Sequence, residues 1–253
     1  MQSGICCVPV SSIRKEPTHK SEIVTQVLFG EFCFIESVNK EKWIEVKCCY
    51  DGYKGWMMES HLDKGPDRSE PLEENALTNE LLKTWNYEGM QMNLPLGCNM
   101  NLPKWFKQKH DLQIPDDLWI NRDKTITDSL LKTISSKYLN TAYLWGGKSV
   151  FGIDCSGFVQ SVFKFVNIPL LRDAFLQATQ GKLVKSLQES KCGDLTFFDN
   201  PEGKITHVGM LLNDHEIIHA AGKVRIDDID ADGIVNRDTG ERTHRLCLIK
   251  RYW

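Results

Sequence analysis

The sequence predicts an α+β chain: small all-β barrel structure at the N-terminus, then a mixed domain built around a cysteine at a helix start. Three observations predict it. Residues 1–65 set short β-branched and aromatic runs between turn signals. From about 121 helical periodicity stands beside strands. Cys155 lies between a glycine-bearing loop and a strongly apolar helical stretch.

Within 1–65, Ile23-Val24-Thr25-Gln26-Val27-Leu28 and Phe32-Cys33-Phe34-Ile35 read as strands, and Trp43-Ile44-Glu45-Val46-Lys47 has the period of a half-buried one. Asp51-Gly52 supplies a turn before Tyr53-Lys54-Gly55-Trp56. The opening ten residues have neither the basic start nor the long apolar core of a signal peptide and read as a first strand. Residues 66–120 read as a linker or a degenerate second barrel. Lys64-Gly65-Pro66-Asp67-Arg68-Ser69 has linker composition, 76–85 has helical character, and Pro95, Pro103 and Pro115 interrupt longer elements.

In 121–253, Thr127 opens a helix through Ser136 with Leu130, Leu131 and Ile134 on its apolar side. Phe158, Val159, Val162, Phe163, Phe165 and Val166 make a helix buried on most of its circumference, stopped before Pro169. Strands are expected at 195–198, 205–212, 216–220 and 245–251.

The chain of 253 residues is 41% hydrophobic and 26% charged, as expected of a soluble globular protein. A net charge of −3 gives no electrostatic case for nucleic acid. No apolar run approaches the ~20 residues of a membrane span. Nine cysteines, an odd number with two adjacent pairs, do not form the framework of a disulfide-stapled protein and point to reduced thiols. The expected location is cytoplasmic, or periplasmic or lipid-anchored if a leader preceded position 1. No cofactor or metal is expected.

Chemistry converges on Cys155. A thiol at a helix N-terminus meets unpaired N–H groups and the positive end of the helix dipole, which favour the thiolate. Gly146, Gly147, Gly152 and Gly157 around it let a substrate backbone approach. Downstream, His207 and His219 fall on neighbouring strands. A two-residue turn between them would point the imidazoles to opposite faces. A three-residue loop, Asn213-Asp214-His215, would pair Gly209 with His219 and put both histidines on one face. The odd-length loop is therefore expected. Nucleophile, base and a third polar group that orients the base are what thiol catalysis needs. Cys155 would attack, His207 would take its proton, and His219 would hold the imidazole.

The stretches Tyr143-Leu144-Trp145-Gly146-Gly147, Asp154-Cys155-Ser156-Gly157-Phe158, Arg172-Asp173-Ala174, Gly193-Asp194-Leu195-Thr196-Phe197-Phe198, His207-Val208-Gly209 and Ile218-His219-Ala220 occur in this order. Over about 125–253 they make the chain resemble NlpC-type cysteine peptidases, specifically γ-D-glutamyl-L-diamino acid endopeptidases with N-terminal bacterial SH3-like domains. The resemblance implies a papain-like catalytic domain after one or more SH3-like barrels, with Cys155, His207 and His219 as the catalytic triad. It implies hydrolysis of the γ-D-glutamyl-L-diamino acid bond of peptidoglycan stem peptides bearing a free N-terminal L-Ala. It casts Asp173 as a carboxylate for the substrate amine and Tyr143, Asp154 and Ser156 as cleft residues. In the barrel, Glu22 and Tyr53 are candidates to face that amine. Ala174 departs from the serine often found beside the aspartate. Plainer readings stand beside these: Asp173 as a helix cap, Tyr53 as a cross-strand aromatic. So do a zinc hydrolase on the same three residues, a cell-wall amidase or acyltransferase, and a non-catalytic wall-peptide binder.

Overall fold

The computed structural model of the chain describes residues 2–66, 72, 75–122 and 125–253. Asp67, Arg68 and Ser69 of the expected linker lie outside the described residues. The chain divides into two units, residues 1–122 with 145–150, and residues 123–144 with 151–253.

In the first unit, β1 (Ser3–Cys6), β2 (Val10–Arg14), β3 (Ile23–Leu28), β4 (Phe32–Val38), β5 (Trp43–Cys48), β6 (Lys54–Met58) and β7 (Leu62–Lys64) form one antiparallel sheet in the order β3-β2-β6-β5-β4-β1-β7. Alternation along the strands sorts two cores. Cys6, Ile13, Val27, Cys33, Ile44, Val46 and Met57 pack on one another. Ile5 and Phe32, each one residue from a member of that core, face the other way. With Leu28 and Phe29 they meet residues from 76–118. This explains why β1 is buried along its whole length.

The second core draws on β8 (Ala76–Leu77), β9 (Leu82–Tyr87), β10 (Met90–Pro95), α1 (Lys104–Lys109) and β11 (Ile120–Asn121). The helical character expected over 76–85 is corrected here. Leu82-Lys83-Thr84-Trp85-Asn86-Tyr87 is a strand that buries Trp85 and Tyr87 two residues apart. It pairs with β10 across Glu88-Gly89, both at positive φ, in the two-residue hairpin geometry that suits strand twist. Rings of Phe29, Trp85, Tyr87 and Phe106 meet edge-on around this core, an arrangement worth more than area burial alone. Gly30, at φ +79°, lets the Asn99 carbonyl approach where a Cβ would stand 1.8 Å from its oxygen. His110 bridges Asp63 of β7 and Glu88 of the hairpin turn. Also in this unit, β12 (Lys148–Ser149) lies against β3: Gln26 Oε1 accepts from the Lys148 N–H at 2.8 Å.

The second unit contains α2 (Asp128–Ser136), β13 (Gly152–Ile153), α3 (Cys155–Lys164), α4 (Ala174–Gln177), β14 (Lys182–Val184), β15 (Leu195–Asp199), β16 (Ile205–Leu211), β17 (Glu216–Ala221), β18 (Lys223–Asp230), β19 (Gly233–Val235) and β20 (Arg242–Arg251). Thr127 caps α2 by accepting from the Leu130 N–H, and Leu131 and Ile134 are buried. The antiparallel order is β14-β20-β15-β16-β17-β18-β19, and β19 also pairs with β20, closing β15–β20 on themselves. Helix α3 is buried at all ten positions and packs on β16 and β17. Among the described residues no disulfide is formed. Among the described residues, no helix is long and apolar enough to cross a membrane.

Candidate active site

Cys155 is the first residue of α3, and Asp154 is its cap: the carboxylate accepts from the Gly157 N–H at 2.6 Å. Both Asp154 oxygens also take the Arg172 guanidinium, at 3.0 and 2.5 Å, and Arg172 donates to Ser156 Oγ at 2.9 Å. Arg172 is 1% exposed, so this charge-assisted fork is an interior clamp that fixes how the helix begins. Asp154 and Ser156, expected in the substrate cleft, thus have buried side chains engaged beneath Cys155.

The Cys155 thiol is buried beside the backbone N–H groups of Ser156 and Val208, one residue from His207. Burial, with the Asp154 carboxylate adding to it, pushes the thiol up to about 12 against the pull of those N–H groups and Arg172. Sequence reasoning has the helix start favour a thiolate. Here loss of solvent outweighs it and favours the neutral thiol. Tyr143 lies near enough for the same charges to act on it. Its phenol is half-buried, and burial, a Cys155 thiolate and Asp154 all raise it.

The loop Asn213-Asp214-His215 sets the expected register: Leu212 N–H donates to Glu216 O at 2.9 Å, and Gly209 pairs with His219. Asn213 shapes the turn by accepting from the His215 N–H. His207 and His219 are therefore diagonal neighbours on one face, with His207 Nε2 2.8 Å from His219 Nδ1. A Cβ on Gly209 would come 2.5 Å from Ile217 Cδ1 and 2.9 Å from His219 Cβ, so the residue opposite His219 has no space for a side chain. Burial holds His207 well below the ordinary histidine range, and neighbouring His219 and His244 add to it.

Three participants escape sequence reasoning. Asp227 Oδ2 lies 2.9 Å from His219 Nε2, extending the pair of histidines by a carboxylate. Arg225 holds Asp227 with two bonds of 2.8 and 2.7 Å. His244, from β20, stacks on His207. The β17–β18 register pairs Ile217 with Asp227 and His219 with Arg225, so a tight turn at Gly222 could have exposed the first two in the sequence.

Other candidates fall elsewhere. Asp173 stands at the N-terminal end of α4, half-buried, and its side chain makes no capping bond to that helix. Ala174 beside it is buried. Glu22, exposed on the first unit, accepts from Trp145 Nε1–H at 2.7 Å. Tyr53 packs partly buried against the barrel core. Among the described residues, no group of three His, Cys, Asp or Glu side chains is placed to hold a metal ion.

A cysteine heading a buried helix, with a histidine pair on an adjoining antiparallel sheet, defines a papain-like cysteine peptidase domain, here preceded by an SH3-like barrel. Residues 140–243 match the NlpC/P60 family and residues 13–62 match the bacterial dipeptidyl-peptidase Sh3 domain. A γ-D-glutamyl-L-lysine dipeptidyl-peptidase of Bacillus subtilis is 30% identical over 220 residues, 78% of this chain and 72% of the relative. Its namesake from Bacillus cereus is 27% identical over 259 residues, 90% of this chain and 77% of the relative. The chain belongs to the NlpC/P60 family and is a cysteine peptidase. A crystal structure of an NlpC/P60 family protein from Bacillus cereus shares the fold across 99% of both chains, with a TM-score of 0.78 at 18% identity.

Proposed function

We propose that this peptidase hydrolyses the γ-D-glutamyl-L-diamino acid bond of peptidoglycan stem peptides carrying a free N-terminal L-Ala, with Cys155 as nucleophile, His207 as general base and His219 orienting it. The observation that carries the reading is the hydrogen bond from His207 to His219 on the strand whose Val208 N–H touches the Cys155 thiol. The names of the two Bacillus relatives support the bond chosen.

With thiol and imidazole both neutral at rest, His207 takes the proton as sulfur attacks the γ-glutamyl carbonyl. The oxyanion forms beside the start of α3, where the Cys155 N–H, free of any helical partner, is a donor. His207 then gives its proton to the departing amine. Water attacks the thioester with His207 again as base, releasing the γ-glutamyl carboxylate and the free thiol. In this reading Tyr143, which feels the charge of Cys155 and Asp154, borders the reacting carbonyl, and Asp173 is the peptidase-domain group assigned to the substrate amine.

The test is hydrolysis of L-Ala-γ-D-Glu-L-Lys and its meso-diaminopimelate counterpart, each free and N-acetylated, read by mass spectrometry. Release of the diamino acid from the free tripeptides alone is the expected result. Equal cleavage of acetylated peptides would remove the amine requirement. Cleavage of neither, with an acyl-transfer or amidase substrate turned over instead, would overturn the bond assignment.

A further inference from the structure

Behind His219 the site continues inward. Asp227 and His219 are each 1% exposed, and the aspartate reaches His219 from the next strand, where the register puts it diagonal to the histidine on the same face. His207, His219 and Asp227 thus form a row across β16, β17 and β18, linked by contacts of 2.8 and 2.9 Å. Each carboxylate oxygen has a defined task. Oδ1 accepts from Arg225 Nη2 at 2.7 Å and from the Arg237 backbone N–H at 3.0 Å. Oδ2 accepts from Arg225 Nε at 2.8 Å and meets His219 Nε2. Arg225 is itself fixed by Asn236 and Asp238.

An ionised carboxylate only accepts hydrogen bonds, so the nitrogen facing it must carry a proton. Burial raises the Asp227 carboxyl, but His219, Arg225 and the Arg237 N–H more than offset this and hold it well below the usual carboxylate range. His219 is then protonated at Nε2, and in the neutral ring Nδ1 is left as an acceptor. The nitrogen facing Nδ1 is His207 Nε2, which must therefore be the donor. That leaves His207 Nδ1 unprotonated, as a base requires.

We infer that Asp227 is a positioning residue for the peptidase reaction: through His219 it fixes the tautomer of His207 that can accept the Cys155 proton. The inference rests on the proposed roles of Cys155 and His207. It also accounts for a histidine at position 219. An imidazole passes the instruction on because donor and acceptor sit on opposite sides of one ring.

The discriminating change is Asp227→Asn. Its Oδ1 would stay with Arg225 Nη2 and the Arg237 N–H, which puts the amide –NH2 against His219 Nε2 and gives up only the Arg225 Nε–H bond, whereas the flipped amide would give up two. His219 would then carry its proton on Nδ1, and His207 would be turned into the wrong tautomer. The same acid-to-amide change in a Ser-His-Asp triad costs about 10⁴-fold in kcat. One imidazole further from the nucleophile, a fall in kcat of ~10²- to 10⁴-fold is expected, with KM within about threefold. Arg225→Gln keeps the carboxylate and removes the guanidinium, and is expected to lose less than about tenfold.

The deciding readout is ¹⁵N NMR of the histidine rings, which reports the protonated nitrogen directly. In the unsubstituted protein at neutral pH both His207 and His219 should be Nε2–H; in Asp227→Asn both should be Nδ1–H. His219 protonated at Nδ1 in the unsubstituted protein would overturn the inference, whether or not the variant folds. So would equal losses in Asp227→Asn and Arg225→Gln, which would mark Asp227 as half of a structural ion pair. Cys155→Ala separates this failure from that of the underlying reading. An active Cys155→Ala protein would refute the nucleophile itself, whereas an inactive one with the wrong His219 tautomer would refute only the role of Asp227.

Discussion

The ring of His244 lies nearly flat on that of His207, with centroids 4.2 Å apart and planes 28° from parallel. Two imidazoles so placed cannot comfortably both be charged. Burial, and then His219, pull His244 down to about 4, while the Asp227 carboxylate resists. His207 must become an imidazolium during turnover, and a cation stacked on it would oppose that step. Burial and the neighbouring rings hold His207 well below the ordinary histidine range, so the acid limb of kcat should fall well below the ~6.5 of a free histidine. His244→Phe keeps a ring in place without a charge; since His244 helps hold His207 down, its loss should move the limb up, toward the free histidine value. A limb at about 6.5 in the unsubstituted enzyme would contradict the neutral pair.

The same ring makes stability depend on pH. An unfolded His244 takes a proton below about 6.5, whereas the folded one waits until about 4. Between these values the unfolded chain binds more protons, so stability falls as pH falls through that window. His207, lowered for the same reason, adds to the slope with the same sign. Denaturant midpoints at about pH 7 and pH 5 should show the loss, and His244→Phe should show a smaller one. Equal slopes in the two proteins would assign the effect to other groups.

Gly209→Ala should separate catalysis from folding. The new methyl would press on Ile217 Cδ1 at 2.5 Å, which can move, and on His219 Cβ at 2.9 Å, which is anchored through its ring to His207 and Asp227. Overpacking of this size costs roughly 1–3 kcal/mol. A displaced His219 should lower kcat by ~10-fold or more, since small misplacements in a catalytic array are expensive. Trimming Ile217 to Val in the same chain should recover stability more than activity. Full recovery of both would place the strain on Ile217 alone.

Arg172 is expected to be the least replaceable residue near Cys155. Arg172→Met would strand the buried Asp154 carboxylate, and removing one partner of a buried pair costs ~3–5 kcal/mol. Arg172→Lys keeps the charge but loses the fork that spans Asp154 and Ser156. Chemical denaturation should rank unsubstituted, Lys and Met in falling order. A Met variant as stable as the unsubstituted chain would make the clamp dispensable.

Much of the site was legible because strand pairing follows rules that sequence obeys. The parity of the loop at Asn213-Asp214-His215 put His207 and His219 on one face and set Gly209 opposite His219. Asp227 was missed although the turn at Gly222 carries the parity that places it, because Lys223-Val224-Arg225-Ile226-Asp227-Asp228-Ile229-Asp230 reads as a charged surface stretch. Sheet closure through β19 and β20 makes it a strand with a buried carboxylate. His244 was lost because β20 begins at Arg242, three residues before the apolar pattern suggests. The segment over 76–85 was misread because Glu80-Leu81-Leu82-Lys83 favours helix by composition, while Trp85 and, beyond it, Tyr87 fit a pleated surface against Phe29.

Glu22 is the acidic candidate on the first unit, and its expected role toward a substrate ammonium can be tested by itself. Its Oε1 takes the Trp145 Nε1–H at 2.7 Å, and an exposed carboxylate can meet a cation as well. If that cation is the substrate's ammonium, Glu22→Gln keeps an acceptor for Trp145 but removes the charge. KM for the free tripeptide should then rise by about tenfold, equivalent to ~1.4 kcal/mol, with kcat little changed. Trp145→Phe frees the carboxylate to move and should raise KM by a smaller factor, because the charge remains. An N-acetylated peptide has no ammonium to lose, so any residual cleavage of it should be indifferent to Glu22→Gln. Parallel losses on free and acetylated peptides would instead mean that Glu22 serves only to hold Trp145.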